Sequence, residues 1–292
     1  MFGTIPTAGG ATISIFGSNL GLVSSSISGV LTGGSPQLAS YPRSFAITSC
    51  TVGSPRGSRV DCVSPVGVGG PFRLQLFVDG GSSNASDAEV WFTNPTINTV
   101  EGEGKLAPTE GQKTIVFRGS NFGVVGASAA IFAWARPTDS MYALVFPATD
   151  CAVIEDHVSI SCVVESGIGG TLSWTISIED LNSTVPVSGY IPPSIVSATL
   201  SDPVASTTGT TWIDIEGRNF GAFIEFVKVW VEIGASGGDV LYGGIVSPRL
   251  NKLTLQCSDC SMVVAHRGVR CLVPRGGGVI TAVTLDVLGQ ST

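Results

Sequence analysis

A five-residue motif occurs three times in this chain of 292 residues, and its recurrence limits the possible folds more than any other feature. The copies begin at positions 17, 119 and 217, so the motif returns at intervals of roughly a hundred residues. They read Gly17-Ser18-Asn19-Leu20-Gly21, Gly119-Ser120-Asn121-Phe122-Gly123 and Gly217-Arg218-Asn219-Phe220-Gly221. Self-similarity of this period predicts three tandem copies of one small domain, over residues 1–94, 95–192 and 193–292.

The residues before each motif alternate between apolar and polar. Apolar side chains lie two and four places before the first glycine in every copy: Ile13 and Ile15, Ile115 and Phe117, Ile213 and Ile215. This period of two predicts a strand with one buried face, which makes the motif the turn at its end. In that turn we expect the glycines to supply positive φ, the asparagine to bond its own backbone, and the leucine or phenylalanine to return to the core.

Further alternating runs indicate that each domain is built from strands. The buried faces are predicted to carry Leu74, Leu76 and Val78 in the first repeat and Trp174, Ile176 and Ile178 in the second. No segment keeps a helical period of 3.6 residues. About seven short strands in roughly a hundred residues is typical of an immunoglobulin-like sandwich. The predicted fold is therefore all-β, with three tandem immunoglobulin-like β-sandwiches.

Six of the seven cysteines form pairs at matched places in the repeats, just before a glycine-rich turn. The pairs are Cys50 and Cys62, Cys151 and Cys162, and Cys260 and Cys271. One pair per domain predicts three structural disulfides and an extracellular or cell-surface location. Cys257 is left over and is expected to be free or paired to another chain. A redox or metal-binding role for Cys257 and Cys260 is disfavoured, because zinc would need a second such pair.

Composition argues against several classes of partner. With a net charge of −7, the chain lacks the clustered Lys and Arg that phosphate binding requires, so no nucleic-acid partner is expected. No run of about 18 apolar residues is present, so no membrane span is predicted in this stretch. No signal peptide is visible after Met1, and the leader of a secreted protein is expected outside this sequence.

No catalytic, cofactor or metal site is predicted, and the chain is not expected to be an enzyme. The two histidines, His157 and His266, lie between the paired cysteines of their repeats, which favours a surface loop for each. Clustered acids without calcium-loop spacing are interpreted as solvated turn acids: Glu101 and Glu103; Asp150, Glu155 and Asp156; Glu179 and Asp180. No nucleophile elbow, zinc motif, phosphate-binding loop or dinucleotide fingerprint is present.

These features together resemble the IPT/TIG domain. An opening Pro-x-Ile stands at Pro95 and Pro193, the Gly-x-Asn-Phe-Gly turn follows, and paired cysteines precede a turn rich in proline and glycine. The resemblance covers the whole chain as three copies, with Glu165 standing where the other repeats have Pro65 and Pro274. It implies an immunoglobulin-like fold, as in plexins, related receptors, some transcription factors and large surface proteins. It also implies adhesion, recognition or spacing rather than chemistry.

Alignment of the repeats on the motif predicts that the first and last domains each lack a strand. Repeats two and three begin with a strand near Ile97 and Ile195, whereas repeat one has only residues 1–6 before the equivalent segment. The return strand of repeat one, around Trp91, has no counterpart in repeat three. Two explanations stay open: a fragment of a longer array, or a protomer whose copies complete one another by strand addition in a filament.

Three further residues are candidates for an interface, and two for modification. Ile5, Trp212 and Leu288 are the candidate interface residues, and Trp212 is expected on the outer face of its strand because it is out of phase with the buried positions. Asn84 and Asn182 open N-x-Ser/Thr sequons at hairpin turns and are predicted acceptors of N-linked glycans.

The sequence therefore predicts a non-enzymatic extracellular repeat protein with a structural or adhesive role. Its expected partners are further copies or repeats, in a fibre or a longer array, and no cofactor is expected. Two alternatives remain: a receptor ectodomain that binds a protein ligand, and an accessory module of a secreted polysaccharide-active enzyme.

Overall fold

The computed structural model describes residues 3–138, 141–234, 240–242, 245–247 and 252–292. Regular structure in these residues is almost entirely strand, with two short 3-10 helices. Each repeat forms β-sheets that pack around a core of its own alternating residues, so the prediction of tandem immunoglobulin-like sandwiches is confirmed. No helix among the described residues is long and apolar enough to cross a membrane.

The first domain consists of a larger sheet, β1-β9-β7-β3-β4 with β8 beside β7, and a smaller one, β2-β6-β5. Its strands are β1 (Gly3–Ile5), β2 (Thr12–Phe16), β3 (Ile27–Gly33), β4 (Arg43–Ile47), β5 (Cys50–Val52), β6 (Arg59–Val63), β7 (Phe72–Val78), β8 (Gly81–Ser82) and β9 (Glu89–Phe92). Strand β1 runs parallel to β9 and places Ile5 opposite Phe92. Ile5 is a buried core residue there, so its assignment to an interface is wrong.

The second domain joins both of its sheets into one path, β10-β12-β15-β14-β13-β16-β17-β11. The elements are β10 (Thr96–Glu101), a 3-10 helix (Glu103–Lys105), β11 (Leu106–Ala107), β12 (Lys113–Ser120), β13 (Ile131–Pro137), β14 (Phe146–Glu155), β15 (Ser159–Val164), β16 (Leu172–Ile178) and β17 (Leu181–Tyr190). Strand β14 joins the sheets because its start pairs with β13 and its later residues pair with β15.

The third domain has the sheets β18-β19-β25-β24 and β23-β20-β26-β27, with a separate hairpin of β21 and β22. Its elements are β18 (Ser194–Leu200), β19 (Trp212–Arg218), a 3-10 helix (Ile224–Phe226), β20 (Val227–Gly234), β21 (Val240–Tyr242), β22 (Ile245–Ser247), β23 (Lys252–Gln256), β24 (Ser258–Val264), β25 (Gly268–Leu272), β26 (Val279–Val287) and β27 (Gln290–Ser291).

The alternating residues before the motif face the cores. Ile115, Phe117, Ile213 and Ile215 are buried, as their period of two predicts. Trp174 is fully buried, packs edge-on against Phe117 at 5.2 Å, and donates its indole N–H to Ser188 Oγ. An apolar ring with a satisfied N–H is a stable core component, so Trp174 has a structural role.

Three disulfides cross-link neighbouring strands at the predicted positions. They join Cys50 to Cys62, Cys151 to Cys162, and Cys260 to Cys271. Cys257 is free and buried. Burial raises the pKa of its thiol to about 11, which keeps the sulfur in its unreactive protonated form at neutral pH.

The two sequons lie beside hairpins and not in the turns themselves. Positive φ marks the turns at Asp79-Gly80 and Glu179-Asp180. Asn84 follows the short strand β8, whereas Asn182 is the second residue of β17 and pairs with Ser177. Both asparagines are exposed, and they lie at different distances from the turns of their hairpins.

Candidate interaction sites at the domain junctions and sheet edges

The motif asparagine bonds across a domain junction and not to its own turn. Asn121 takes φ 65° and donates through Nδ2 to Asn94 O in the connection from the first domain. Its Oδ1 accepts from the Thr7 hydroxyl at 3.3 Å, and the same hydroxyl oxygen lies 2.9 Å from His157 Nδ1. Thr7 is almost fully buried by these contacts, so the motif of the second domain packs against the first domain.

The second junction repeats this arrangement with equivalent residues. Asn219 takes φ 62° and donates to Pro192 O, while its Oδ1 accepts the backbone N–H of Thr109. The Thr109 hydroxyl oxygen lies 3.0 Å from His266 Nδ1, and Thr109 is fully buried. Both histidines lie in turns between strands, but each one is only partly exposed and contacts the neighbouring domain.

A glycine of the motif and an aliphatic side chain form the apolar part of each junction. A β-carbon on Gly123 would lie 2.9 Å from Val68 of the first domain, and one on Gly221 would lie 2.5 Å from Ile168 of the second. Both glycines also have positive φ, 85° and 74°. Glycine is therefore required twice over at this place, by conformation and by the approach of the neighbouring domain. Gly21 has the same positive φ.

The first glycine of the motif has a different role from the one predicted. Gly17, Gly119 and Gly217 all lie in the described part of the chain, and none of the three has positive φ. A β-carbon on Gly119 or Gly217 would collide with the carbonyl oxygen of Thr96 or Ser194 on the neighbouring strand. These glycines permit close strand approach, and the asparagine provides the left-handed residue.

At the first junction the hairpin between β16 and β17 contributes a buried ion pair. Glu179 is 2% exposed, and its Oε1 lies 3.2 Å from Arg43 Nη1 of the first domain. Glu179 also accepts hydrogen bonds from the Ser40 hydroxyl and from the backbone N–H of Ala130. The interpretation of Glu179 as a solvated turn acid is wrong, since its carboxylate lies between two domains.

At the second junction the equivalent hairpin residue is apolar. A β-carbon on Gly169 would lie 3.5 Å from Leu288 Cδ2, so Leu288 contacts the second domain. The adjoining Gln290 donates through Nε2 to Tyr190 O. An exposed ion pair of Arg267 and Glu110, 3.5 Å apart, lies at the periphery.

The outer edge of strand β2 has no strand partner among the described residues. In the second and third domains this edge is covered, because β10 pairs with β12 and β18 pairs with β19. Gly17 N–H and Ala11 C=O point towards β6, so the backbone groups of Ser14 point the other way, to solvent. Phe16 at the end of β2 is 72% exposed.

The outer edge of strand β26 is similarly open as far as the described residues show. Only Asp286 and Val287 pair with β27, whereas the equivalent β16 of the second domain pairs with β17 from Leu172 to Ile178. An unpaired row of backbone N–H and C=O groups is a template for another strand.

Trp212 is partly exposed at the start of β19, on the face opposite the buried Ile213.

Four of the other predicted turn acids make local contacts, and Asp150 and Asp180 are exposed. Glu101 and Glu155 bind Arg118, and Glu103 binds Lys113. Asp156 accepts the backbone N–H of Val125. No group of three or more His, Cys, Asp or Glu in the described part of the chain is arranged to hold a metal ion.

No family model and no curated protein matches the chain. Among solved structures it is similar to a crystal structure with xylogluco-oligosaccharide, at 12% identity and TM-score 0.36, over 100% of this chain and 56% of that one. It is also similar to SGBP-B of Bacteroides uniformis, at 14% identity and TM-score 0.26, over 98% and 92% of the two chains. The adhesin FdeC of Escherichia coli matches at 13% identity and TM-score 0.27, over 98% and 90%.

Proposed function

We propose that this protein is a non-enzymatic extracellular module, built of IPT/TIG-like domains, that forms a surface fibre or adhesive array by strand addition between copies. The observation that carries the proposal is the pair of open sheet edges, on β2 in the first domain and on β26 in the third. Strand addition gives affinity through main-chain hydrogen bonds, which an open edge offers without any change of fold.

The surroundings of β2 support the same proposal. In the second domain, β10 and the short helix after it cover β12, and Gly104 of that helix packs directly on Ile115. Ile115 is fully buried there, while its counterpart Ile13 in β2 is only partly buried. An added strand over the β2 edge would therefore bury apolar surface as well as pair backbone groups.

The cysteines support an extracellular location. Three disulfides persist in an oxidising compartment and are rare in the cytosol. We further propose that the exposed Asn84 and Asn182 carry N-linked glycans when the protein is made by a eukaryotic secretory pathway. A mass decrease after treatment with a glycosidase would test this assignment, and an unchanged mass would contradict it.

A proline at Ser14 tests strand addition. Proline lacks the N–H that Ser14 directs to solvent, and an edge strand tolerates it because its own ladder does not use that N–H. We expect Ser14→Pro to lower self-association at least tenfold, measured by sedimentation across a concentration series and by negative-stain imaging. Ser14→Ala is the matched control, because it also loses the side-chain bond to Asp61 but keeps the backbone donor.

Two results would contradict the proposal. One is a wild-type chain that stays monomeric at every concentration, which would favour a receptor-type binding module. The other is equal assembly by Ser14→Pro and Ser14→Ala, with both variants folded by circular dichroism.

A further inference from the structure

The turn that carries Thr7 and Thr109 is present in the third domain with the same geometry. In each domain a backbone bond closes the turn, from Gly9 to Pro6, from Gly111 to Pro108 and from Gly209 to Ser206. A second bond holds the threonine carbonyl, from Gly67 to Thr7, from Gly167 to Thr109 and from Gly276 to Thr207. Thr207 is exposed, whereas Thr7 and Thr109 are buried at junctions. The third domain therefore displays half of a junction.

The first domain displays the other half at its opposite end. Asn19 takes φ 58°, close to the 65° of Asn121 and the 62° of Asn219. The turn around it is held by the same bonds, from Gly17 N–H to Ser58 O and from Leu20 N–H to Gly57 O. Asn19 therefore has the backbone conformation of the two junction asparagines, but it is exposed and has no domain against it in the described part of the chain.

We infer that the Thr207 turn of one copy docks onto the Asn19 turn of a second copy, as a third junction of the same kind. The occupant is a second copy because one chain carries both halves and each half has a working counterpart inside the chain. The inference rests on the proposed function, and it specifies which surfaces of two copies contact each other. The contact is heterologous, so a copy that has bound one neighbour keeps a free half that can bind the next, head to tail.

The intermolecular junction is weaker than the two internal ones. Gly57 stands where the second and third domains have His157 and His266, so no ring nitrogen faces Thr207. Gly277 stands where the first and second domains have Val68 and Ile168, so the aliphatic contact above Gly21 is missing. These two differences predict an association that depends on concentration, in contrast to the fixed internal junctions.

One of the missing groups can be restored. Gly57 has φ 76°, close to the 62° and 66° that His157 and His266 adopt, and a β-carbon there meets nothing within 4 Å. We expect Gly57→His to tighten association about fivefold, the size expected for one added hydrogen bond. We expect Thr207→Val and Asn19→Gly each to weaken it by about the same factor. Glycine keeps the positive φ at position 19, so the turn is preserved while the amide is removed.

Each variant is made in the full chain, and its self-association is measured by sedimentation. This experiment distinguishes the docking contact from strand addition. Ser18→Ala, next to Asn19 and exposed, is the matched control and is expected to associate like wild type. If Asn19→Gly and Thr207→Val assemble like wild type while Ser14→Pro does not, docking is overturned and strand addition stands. If they weaken assembly and Ser14→Pro does not, docking stands and strand addition fails. If wild type and Gly57→His are both monomeric throughout, both ideas are overturned.

Discussion

The two domain junctions share their centre and differ at their periphery. Each centre has a buried threonine against a histidine ring, an asparagine bonded to the interdomain connection, and an aliphatic side chain over a glycine. The hairpin residue beside it is Glu179 at one junction and Leu288 at the other, with φ 49° and 50°. The same backbone position thus supports a buried ion pair in one case and an apolar contact in the other. The repeated centre sets how domains stack, and the hairpin residue is free to vary.

The largest expected effect on the free energy of unfolding comes from the ion pair at the first junction. Glu179→Gln keeps the shape of the side chain but leaves the Arg43 guanidinium unpaired, and Arg43 is only 15% exposed. Removing one member of a buried pair costs about 3 kcal/mol in the free energy of unfolding. Chemical denaturation of the full chain, followed by fluorescence, measures the loss.

The control for this change is Glu103→Gln. Glu103 pairs with Lys113 on the surface, where the two side chains are 75% and 41% exposed, so its loss is expected to change the free energy of unfolding far less than Glu179→Gln does. Equal effects of the two substitutions would show that the Glu179 pair contributes no more than a surface ion pair.

A smaller effect is expected from the shared centre. Thr109→Val replaces the hydroxyl by a methyl group of similar volume and leaves His266 Nδ1 without its 3.0 Å partner. The loss of one such hydrogen bond costs about 1 kcal/mol, and Thr7→Val should cost more at the other junction, because the Thr7 hydroxyl contacts both Asn121 and His157. Thr207→Val is expected to leave the unfolding of the monomer unchanged, because Thr207 is exposed. Equal Tm shifts for all three variants would contradict a junction role for the hydroxyl.

The fold was predictable because every repeat carries the same local signals. The period of two before each motif located β2, β12 and β19, and the motif located the turns. The cysteine spacing located the pairs that the disulfides join. Each of these signals lies within a few residues along the chain, where alternation and turn chemistry determine the outcome.

The junctions were not predictable because they join residues of different domains, which lie from 27 to 157 positions apart along the chain. The bond between Thr7 and His157 spans 150 residues, and nothing local to either residue indicates the other. A signal was nevertheless present in the repeats: a histidine at the matched position in two domains, and a threonine after the residue that opens the turn in all three. For Glu179 the turn position indicated exposure, and the packing of the neighbouring domain reversed it.

The smallest expected effect is a dependence of stability on pH at the second junction. Burial lowers the pKa of His266 below its ordinary value of 6.5, with Arg267 adding to this and Glu110 opposing it. The unfolded chain therefore binds more protons than the folded chain between the two pKa values, so stability is complete above about pH 6.5 and declines as the pH falls towards the folded pKa. We expect Tm to fall on acidification from pH 7.5 to 5. His266→Asn, which keeps a side chain suited to positive φ, should flatten that fall relative to wild type. Parallel Tm curves for the two proteins would show that His266 does not couple protonation to the junction.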